Sequence, residues 1–169
     1  MIYLCLALIV ILATFAYGGL SAAPWVPMRR GDVDRFLALA EIKSGEKVYD
    51  LGCGDGRTIC AAAKAGARAE GFEVSLLPYL LSQFRRLVLR KSGHDVTIHY
   101  KNFWHARIDD ADVIYFFLMP KCYPRLKVKL EKELKPGARV IAYVWPIDGW
   151  EPVKIDTAPG KPNLYLYRR

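Results

Sequence analysis

Apolar residues occur along this chain in two kinds of pattern, one typical of strands and one typical of helices. Short apolar or alternating runs predict five strands, at residues 48–51, 68–73, 96–100, 112–118 and 139–145. Between these runs, apolar residues recur every three or four positions, which predicts helices at residues 57–66, 75–93 and 120–136. Strands that alternate with helices of this length form an α/β fold with a doubly wound, mostly parallel sheet. Two further extended pieces within residues 152–169 predict an antiparallel hairpin.

Two of the helices carry recognisable signals at their ends. Asp32 is expected to cap a short helix that ends at Ser44-Gly45. Ser75 is expected to cap the longest helix, which Gly93 ends. The apolar residues of that longest helix follow helical spacing and are expected to face the sheet: Leu76, Leu80, Phe84, Leu87 and Val88.

The N-terminal segment is apolar over a length that suits a membrane. Residues 1–28 contain no charged side chain and no histidine, and about 20 apolar residues span a hydrocarbon core of ~30 Å. A cleaved signal peptide is the alternative, because Ser21-Ala22-Ala23 offers small residues at a cleavage position. Against it, no basic residue precedes the apolar run, and Pro24 follows the cut. We therefore expect a transmembrane helix at residues 1–22, a linker at 23–30 and a folded domain at 31–169.

Charge indicates how such a span would be oriented. Arg29 and Arg30 follow it directly, so the positive-inside rule predicts a single-pass membrane protein with its C-terminal domain in the cytoplasm. The chain has 25 Lys and Arg residues against 17 Asp and Glu, a formal charge of +8, and a basic face would be drawn toward anionic lipid. Nucleic acid would be attracted as well, so charge alone does not choose the partner.

The four cysteines indicate neither a disulfide framework nor a metal site. They form no Cys-x-x-Cys pair and no cluster with histidine. We therefore expect no metal, and we interpret the cysteines as reduced thiols of a cytosolic domain.

A glycine-rich loop directly after the first strand is the most informative motif. Asp50 is followed by a glycine at every second position, and a helix then begins at Arg57. Glycines let the backbone approach a ligand closely, and the helix N-terminus offers free amide groups. Glu73 ends the second strand about 20 residues further on, where nucleotide-binding sheets carry the acid that binds a ribose. The glycine spacing fits neither the dinucleotide fingerprint nor a phosphate loop.

This loop resembles motif I of the class I S-adenosylmethionine-dependent methyltransferases, a Rossmann-like family. The resemblance covers residues 31–169 and implies S-adenosyl-L-methionine as the cofactor. It also implies that the methionine end of the cofactor is bound by Asp50, Gly52, Gly54 and Gly56.

The same resemblance implies roles for three residues after the second and third strands. Glu73 would bind the ribose hydroxyls. Asn102 stands where the family commonly has an acid that reads the adenine amine, and an asparagine oxygen accepts from that amine as well. Phe103 would stack on the adenine ring.

The segment after the fourth strand bears on the substrate. Relatives that methylate nucleobase amines read Asp/Asn-Pro-Pro-Tyr/Phe there, whereas this chain reads Phe117-Leu118-Met119-Pro120 and lacks the polar group that would hold a flipped base. We interpret Cys122 as a packing residue rather than the nucleophile of base C5 chemistry. Nucleic acid is therefore not expected as a partner.

Several segments resemble a narrower group, the membrane-anchored protein-lysine methyltransferases that act on the ADP/ATP carrier and on the c-type rotor protein of ATP synthase, with their prokaryotic relatives. The shared segments are residues 117–120, 134–140 and 149–152, and the apolar N-terminal helix with its Pro/Trp linker. This resemblance implies N-methylation of a lysine in a membrane-associated protein.

Methylation of lysine requires surroundings that favour the neutral amine over the ammonium ion. The candidate aromatic wall consists of Tyr115, Phe117, Met119, Trp145 and Trp150. Glu151 is the candidate that accepts the proton or guides the cationic side chain, with Asp148 and His105 as alternatives.

Two rival functions stay open on the sequence. The acceptor can instead be a lipid, such as the amine of phosphatidylethanolamine or a quinone-type headgroup, because a basic face beside a bilayer suits either acceptor. The other rival is a cofactor-binding scaffold without catalysis, since an intact binding motif does not prove turnover.

Overall fold

Helices and strands alternate along most of the chain in this computed structural model, which describes all 169 residues. The helices are α1 (Ile2–Ser21), α2 (Arg30–Ala40), α3 (Arg57–Lys64), α4 (Leu76–Lys91) and α5 (Tyr123–Glu133). The strands are β1 (Lys47–Leu51), β2 (Arg68–Glu73), β3 (Val96–Tyr100), β4 (Val113–Phe116), β5 (Arg139–Tyr143), β6 (Lys154–Asp156) and β7 (Leu164–Arg168). Short 3₁₀ turns at Phe103–His105 and Pro120–Cys122 follow β3 and β4.

All seven strands lie in one sheet, in the order β3-β2-β1-β4-β5-β7-β6. Strands β1 to β5 pair in parallel, and β7 pairs antiparallel with both β5 and β6. The predicted doubly wound, mostly parallel sheet and the C-terminal hairpin are thereby confirmed. The strand order reverses between β1 and β4, so the carboxyl ends of these strands flank the crevice where such sheets bind ligands.

Helices cover both faces of the sheet. On one face, Phe36 of α2 and Ile59 of α3 are almost fully buried in a single apolar core. On the other face, Leu126 and Leu130 of α5 lie in a second core. Strands β4 and β5 are buried at every position between these cores, which explains their continuous apolar sequences.

The prediction that Asp32 caps a helix is wrong. Helix α2 begins at Arg30, and Asp32 lies fully buried in its first turn. The Asp32 carboxylate accepts hydrogen bonds from the Tyr143 hydroxyl at 2.7 Å and from the Arg35 guanidinium at 3.0 Å. Burial alone would raise the pKa of Asp32, but these bonds to Tyr143 and Arg35 outweigh it and lower the pKa. Arg35 also pairs with Asp156 at 3.0 Å, so this network joins α2 to β5 and β6.

The apolar face of α4 points away from the sheet, which corrects the expected orientation of this helix. Four residues expected in the core are instead 52–70% exposed, namely Leu80, Phe84, Leu87 and Val88. The residues that α4 buries are Pro78, Ser82 and Leu89. Close approach explains this choice, because a Cβ built on Gly56 would lie 2.9 Å from the Cβ of Ser82. A large side chain at that position of α4 does not fit against the loop.

Helix α1 contacts the domain only through its C-terminal half. Gly18 is buried against Ser75, and the backbone amide of Leu76 donates to the Thr14 hydroxyl at 3.1 Å. The remaining apolar residues of α1 are exposed. The mean hydropathy of its most apolar window is 2.2, which together with its length suffices for a membrane span or for a signal sequence.

Replacing Asp32 with asparagine is expected to lower the free energy of unfolding by about 2 kcal/mol, because Arg35 loses a buried charged partner. The pKa of Asp32 is lower in the folded chain than in the unfolded chain. Its contribution to stability is therefore fully present above the unfolded pKa of about 4 and is lost as the pH falls through the folded pKa. Urea unfolding of the full chain in detergent, at several pH values, measures both effects.

The matched control for this prediction is Asp34→Asn, an exposed carboxylate in the same helix. We expect this change to leave stability nearly unaltered, within about 0.5 kcal/mol. Equal losses in the two variants would contradict a specific role for the buried network.

Candidate active site

The carboxyl ends of three neighbouring strands bring the predicted binding residues together. Asp50 of β1 lies beside Gly71 of β2 on one side and Tyr115 of β4 on the other. The loop that follows β1 carries Gly54 and Gly56 at φ +55° and +78°, in the left-handed region that favours glycine. The loop therefore turns sharply from β1 into α3 and exposes its backbone to the crevice.

Asp50 has the most unusual environment of any carboxylate in the chain. It is 2% exposed, and its Oδ1 is the one buried side-chain oxygen or nitrogen that has no hydrogen-bond partner. Burial, followed by the charges of Glu73 and Asp55, raises the pKa of Asp50 well above its usual range. A cationic ligand group would satisfy this oxygen and reverse the shift. The ammonium of S-adenosyl-L-methionine therefore fits the position, in agreement with the role expected for Asp50.

Glu73 holds three backbone amides with its two carboxylate oxygens. Its Oε2 accepts from Gly54 at 2.8 Å, and its Oε1 accepts from Val74 at 2.8 Å and from Ser75 at 2.7 Å. The side chain is 7% exposed and lies beside the crevice. Because Oε2 accepts only one of these bonds, it retains a lone pair for a ligand hydroxyl. Glu73 thus fixes the glycine loop and remains able to bind a ribose.

Asn102 and Phe103 line the same crevice after β3. The Asn102 Oδ1 accepts from the backbone amide of Trp104 at 3.1 Å, and its Nδ2 donates to the hydroxyls of Tyr17 at 2.8 Å and Ser21 at 3.0 Å. Phe103 is buried, with its ring 4.5 Å from that of Trp104. The expected adenine-side residues therefore also join the domain to α1.

The linker between α1 and α2 runs over the glycine loop, a position that no sequence pattern predicted. A Cβ built on Gly54 would lie 2.6 Å from Nε1 of Trp25, so the indole packs directly on the loop. The backbone carbonyl of Met28 accepts from Arg57 at 2.6 Å, which holds the end of the linker in place. The only sequence signal for this position is the stiffness of the Pro-Trp-Val-Pro segment, which suits a membrane-interface element equally well.

With the linker in this position, the cavity of the crevice measures about 70 Å³. Pockets for small molecules begin at ~300 Å³, so Trp25 and its neighbours must shift before a nucleoside-sized ligand enters.

Two of the three residues predicted to act in catalysis lie at the crevice. Tyr115 is buried there, and burial followed by the charge of Asp50 raises its pKa well above the usual range. Phe117 stands at the rim, with its ring 4.8 Å from that of Tyr143 and 6.0 Å from that of Trp145. These rings form an aromatic wall beside the end of β4.

Glu151, the third predicted catalytic residue, is exposed and does not line the crevice. The neighbouring Trp150 packs on Tyr167 and donates to Glu131 at 3.0 Å, on the side of α5. The alternatives Asp148 and His105 are also exposed and outside the crevice lining. No group of three or more His, Cys, Asp or Glu side chains is arranged to hold a metal ion.

Sequence comparisons connect this crevice to known enzymes. The family model of the ANTKMT methyltransferase domain matches residues 50–154. A protein-lysine N-methyltransferase from Saccharolobus islandicus (strain REY15A) is 37% identical over 153 residues, which cover 85% of this chain and 92% of that protein. The lysine N-methyltransferase of the ATP synthase C protein from Rattus norvegicus is 35% identical over 76% of this chain. The adenine nucleotide translocase lysine N-methyltransferase of Mus musculus is 34% identical over 85% of it. The chain covers 59% and 62% of the length of these two mammalian relatives.

Solved structures carry the same fold with the expected cofactor product. An RNA methyltransferase from Salinibacter ruber, in complex with S-adenosyl-L-homocysteine, superposes with a TM-score of 0.79 at 28% identity, over 85% of this chain and 93% of that one. A methyltransferase from Thiobacillus denitrificans, also with S-adenosyl-L-homocysteine, has a TM-score of 0.61 at 21% identity over 79% of this chain and 53% of that one, and supports the fold alone.

Asp50→Asn is expected to weaken the binding of S-adenosyl-L-homocysteine about 10- to 100-fold, because a hydrogen bond to a charged group is lost. In the wild type, ammonium binding lowers the raised pKa of Asp50 and releases a proton. Affinity is therefore full above the pKa of the unliganded carboxylate and falls as the pH drops below it. Calorimetric titrations across a range of pH test both statements, with exposed Asp109→Asn as the control. A wild-type affinity that is independent of pH would contradict the raised pKa.

Trp25→Ala is expected to increase the association rate constant of S-adenosyl-L-homocysteine several-fold, because the indole no longer has to leave the glycine loop. Stopped-flow measurements give this rate, and Val26→Ala, an exposed neighbour in the same linker, serves as the control. Unchanged association in the Trp25 variant would show that the linker does not limit access.

Proposed function

Because the chain belongs to the family of the ANTKMT methyltransferase domain, it is an S-adenosylmethionine-dependent methyltransferase, and we propose that it methylates lysine side chains of a membrane-associated protein. The observation that carries this proposal is the similarity to a protein-lysine N-methyltransferase over nearly the whole length of that enzyme. Two further relatives are lysine methyltransferases named for a component of ATP synthase and for the adenine nucleotide translocase, and both of these substrates are membrane proteins.

In this proposal the carboxylates at the strand ends bind the cofactor. Asp50 would accept from its ammonium, Glu73 from the ribose hydroxyls, and Asn102 from the adenine amine. When bound, S-adenosyl-L-methionine supplies a methyl group on a sulfonium, ready for in-line displacement. The glycine loop contributes close backbone approach, and the linker over it excludes water from the crevice.

The aromatic wall beside β4 would receive the lysine side chain. The rings of Phe117, Tyr143 and Trp145 offer apolar surface on which the ammonium form is costly, so the amine loses its proton more readily. Tyr115 lies behind this wall at the crevice. The role of Glu151 stays a prediction that requires the loop after β5 to bring the carboxylate inward.

The position of α1 supports a substrate at the membrane. Gly18, Ser21 and Ala22 line the crevice, so the last turn of the apolar helix ends at the site itself. We propose that α1 is retained as a single membrane span, with Arg29 and Arg30 and the domain on the cytoplasmic side. An anchored domain would then open its crevice at the bilayer surface, within reach of lysines that project from membrane proteins.

RNA is the second candidate acceptor, because a similar solved structure is described as an RNA methyltransferase. The segment Phe117-Leu118-Met119-Pro120 argues against a base as the acceptor, since it has no side chain that hydrogen-bonds a base edge. A lipid or quinone headgroup is the third, supported by the same anchor and basic charge as the protein substrate.

Transfer of a tritiated methyl group separates these acceptors. The full chain in isolated membranes would be compared with its Asp50→Asn variant, and protein, lipid and RNA would be extracted from each sample. We expect label that depends on Asp50 in a membrane protein, recovered as methyl-lysine after acid hydrolysis. Label in the lipid or RNA extract instead would contradict the proposal, and no label in any extract would favour a scaffold.

A further inference from the structure

Helix α4 presents an apolar surface to the outside of the domain. Six large apolar residues are 40–70% exposed, and we call them the outer stripe of α4: Leu77, Leu80, Leu81, Phe84, Leu87 and Val88. Their spacing of three and four residues places them in one line along the helix, opposite the buried Pro78, Ser82 and Leu89. The helix is therefore amphipathic with its apolar side turned outward, which water alone does not favour.

The rest of the folded domain has no comparable helix surface. On the opposite face of the sheet, α5 exposes one large apolar residue, Val128. Single exposed residues are normal in soluble proteins, whereas a continuous apolar patch marks an interaction site.

The charges around the outer stripe are basic. Helix α4 contains no acidic residue, and it carries Arg85, Arg86, Arg90 and Lys91. Arg90 and Lys91 are exposed and form no salt bridge, whereas Arg85 pairs with Asp55 at 3.0 Å. A groove beside the helix adds Arg30, which shares it with Arg57, Arg85 and the single acid Asp34. Apolar residues flanked by Lys and Arg are the pattern of helices that lie in the interface of an anionic membrane.

The beginning of α4 also lies where α1 meets the domain, since the Leu76 amide donates to Thr14 and Gly18 packs on Ser75. We propose that the outer stripe of α4 rests in the headgroup region of an anionic lipid bilayer. This inference builds on the proposed function, because it takes α1 as the membrane span. Ser75 lines the crevice, so this second contact would fix the direction in which the crevice faces the bilayer.

A second copy of the chain is a less suitable occupant than lipid. Two outer stripes packed together would bring the basic residues of both helices into proximity, with no acidic residue on either helix to compensate. An anionic bilayer instead supplies negative headgroups beside its apolar interior.

Spin labels on the full chain test this placement in vesicles of phosphatidylcholine with phosphatidylglycerol. Phe84→Cys reports on the outer stripe and Val128→Cys on the opposite face, both with Cys5→Ser, since the other three cysteines are buried. We expect the label at position 84 to be relaxed more by oxygen, which concentrates in lipid, than by a water-soluble nickel chelate. The label at position 128 is expected to show the reverse. Vesicles of phosphatidylcholine alone are expected to reduce the lipid signature at position 84.

Three results separate this inference from the proposed function. A label at position 84 that is accessible to nickel would overturn the lipid contact, as would a label shielded from both reagents, which indicates a second protein chain. A label on the native Cys5 reports on α1. If Cys5 lies in lipid while position 84 lies in water, the inference fails and the anchor stands. If Cys5 itself lies in water, the membrane part of the proposed function fails. Binding of S-adenosyl-L-homocysteine by each labelled variant serves as the control for folding.

Discussion

The carboxylate of Glu73 organises the site, because its two oxygens hold amides from two different segments. Gly54 belongs to the loop after β1, whereas Val74 and Ser75 lead into α4. One side chain therefore sets the distance between the glycine loop and the start of α4. The contact of Gly56 with Ser82 follows from that distance, and so does the outward direction of the apolar residues of α4. The cofactor crevice and the outer stripe thus rest on the same anchor.

Features that depend on neighbouring residues were predictable from the sequence. The strands, the glycine loop and the acid at the end of β2 have local signatures, and a parallel sheet brings the carboxyl ends of its strands to one edge. Helical spacing identified the apolar line on α4 but not the side it faces. That side depends on the small gap above Gly56, which is a tertiary property. Similarly, Asp32 has the residue type of a helix cap, but its partner Tyr143 lies 111 residues away in the sequence.

The two halves of the crevice differ in how much of their function the structure defines. On the cofactor side, a buried oxygen without a partner, a close-approach loop and a strand-end carboxylate converge within one crevice. On the acceptor side, aromatic rings form a wall, but the loop after β5 places its carboxylates in solvent. This division is common in the Rossmann-like folds, in which a shared cofactor site is combined with variable acceptor loops. It explains why similar folds are found with RNA and with protein methylation.

The side-chain amide of Asn102 donates to Tyr17 and Ser21 of α1 while its residue lines the crevice. A helix in a bilayer changes its tilt with the thickness of the hydrocarbon core. If tilt alters these two hydrogen bonds, it alters the arrangement of the adenine side of the crevice. Thermodynamic linkage then requires the converse, that an occupied crevice favours one tilt by the same factor. Through Asn102, the thickness of the membrane would become a variable in the saturation of the enzyme with its cofactor.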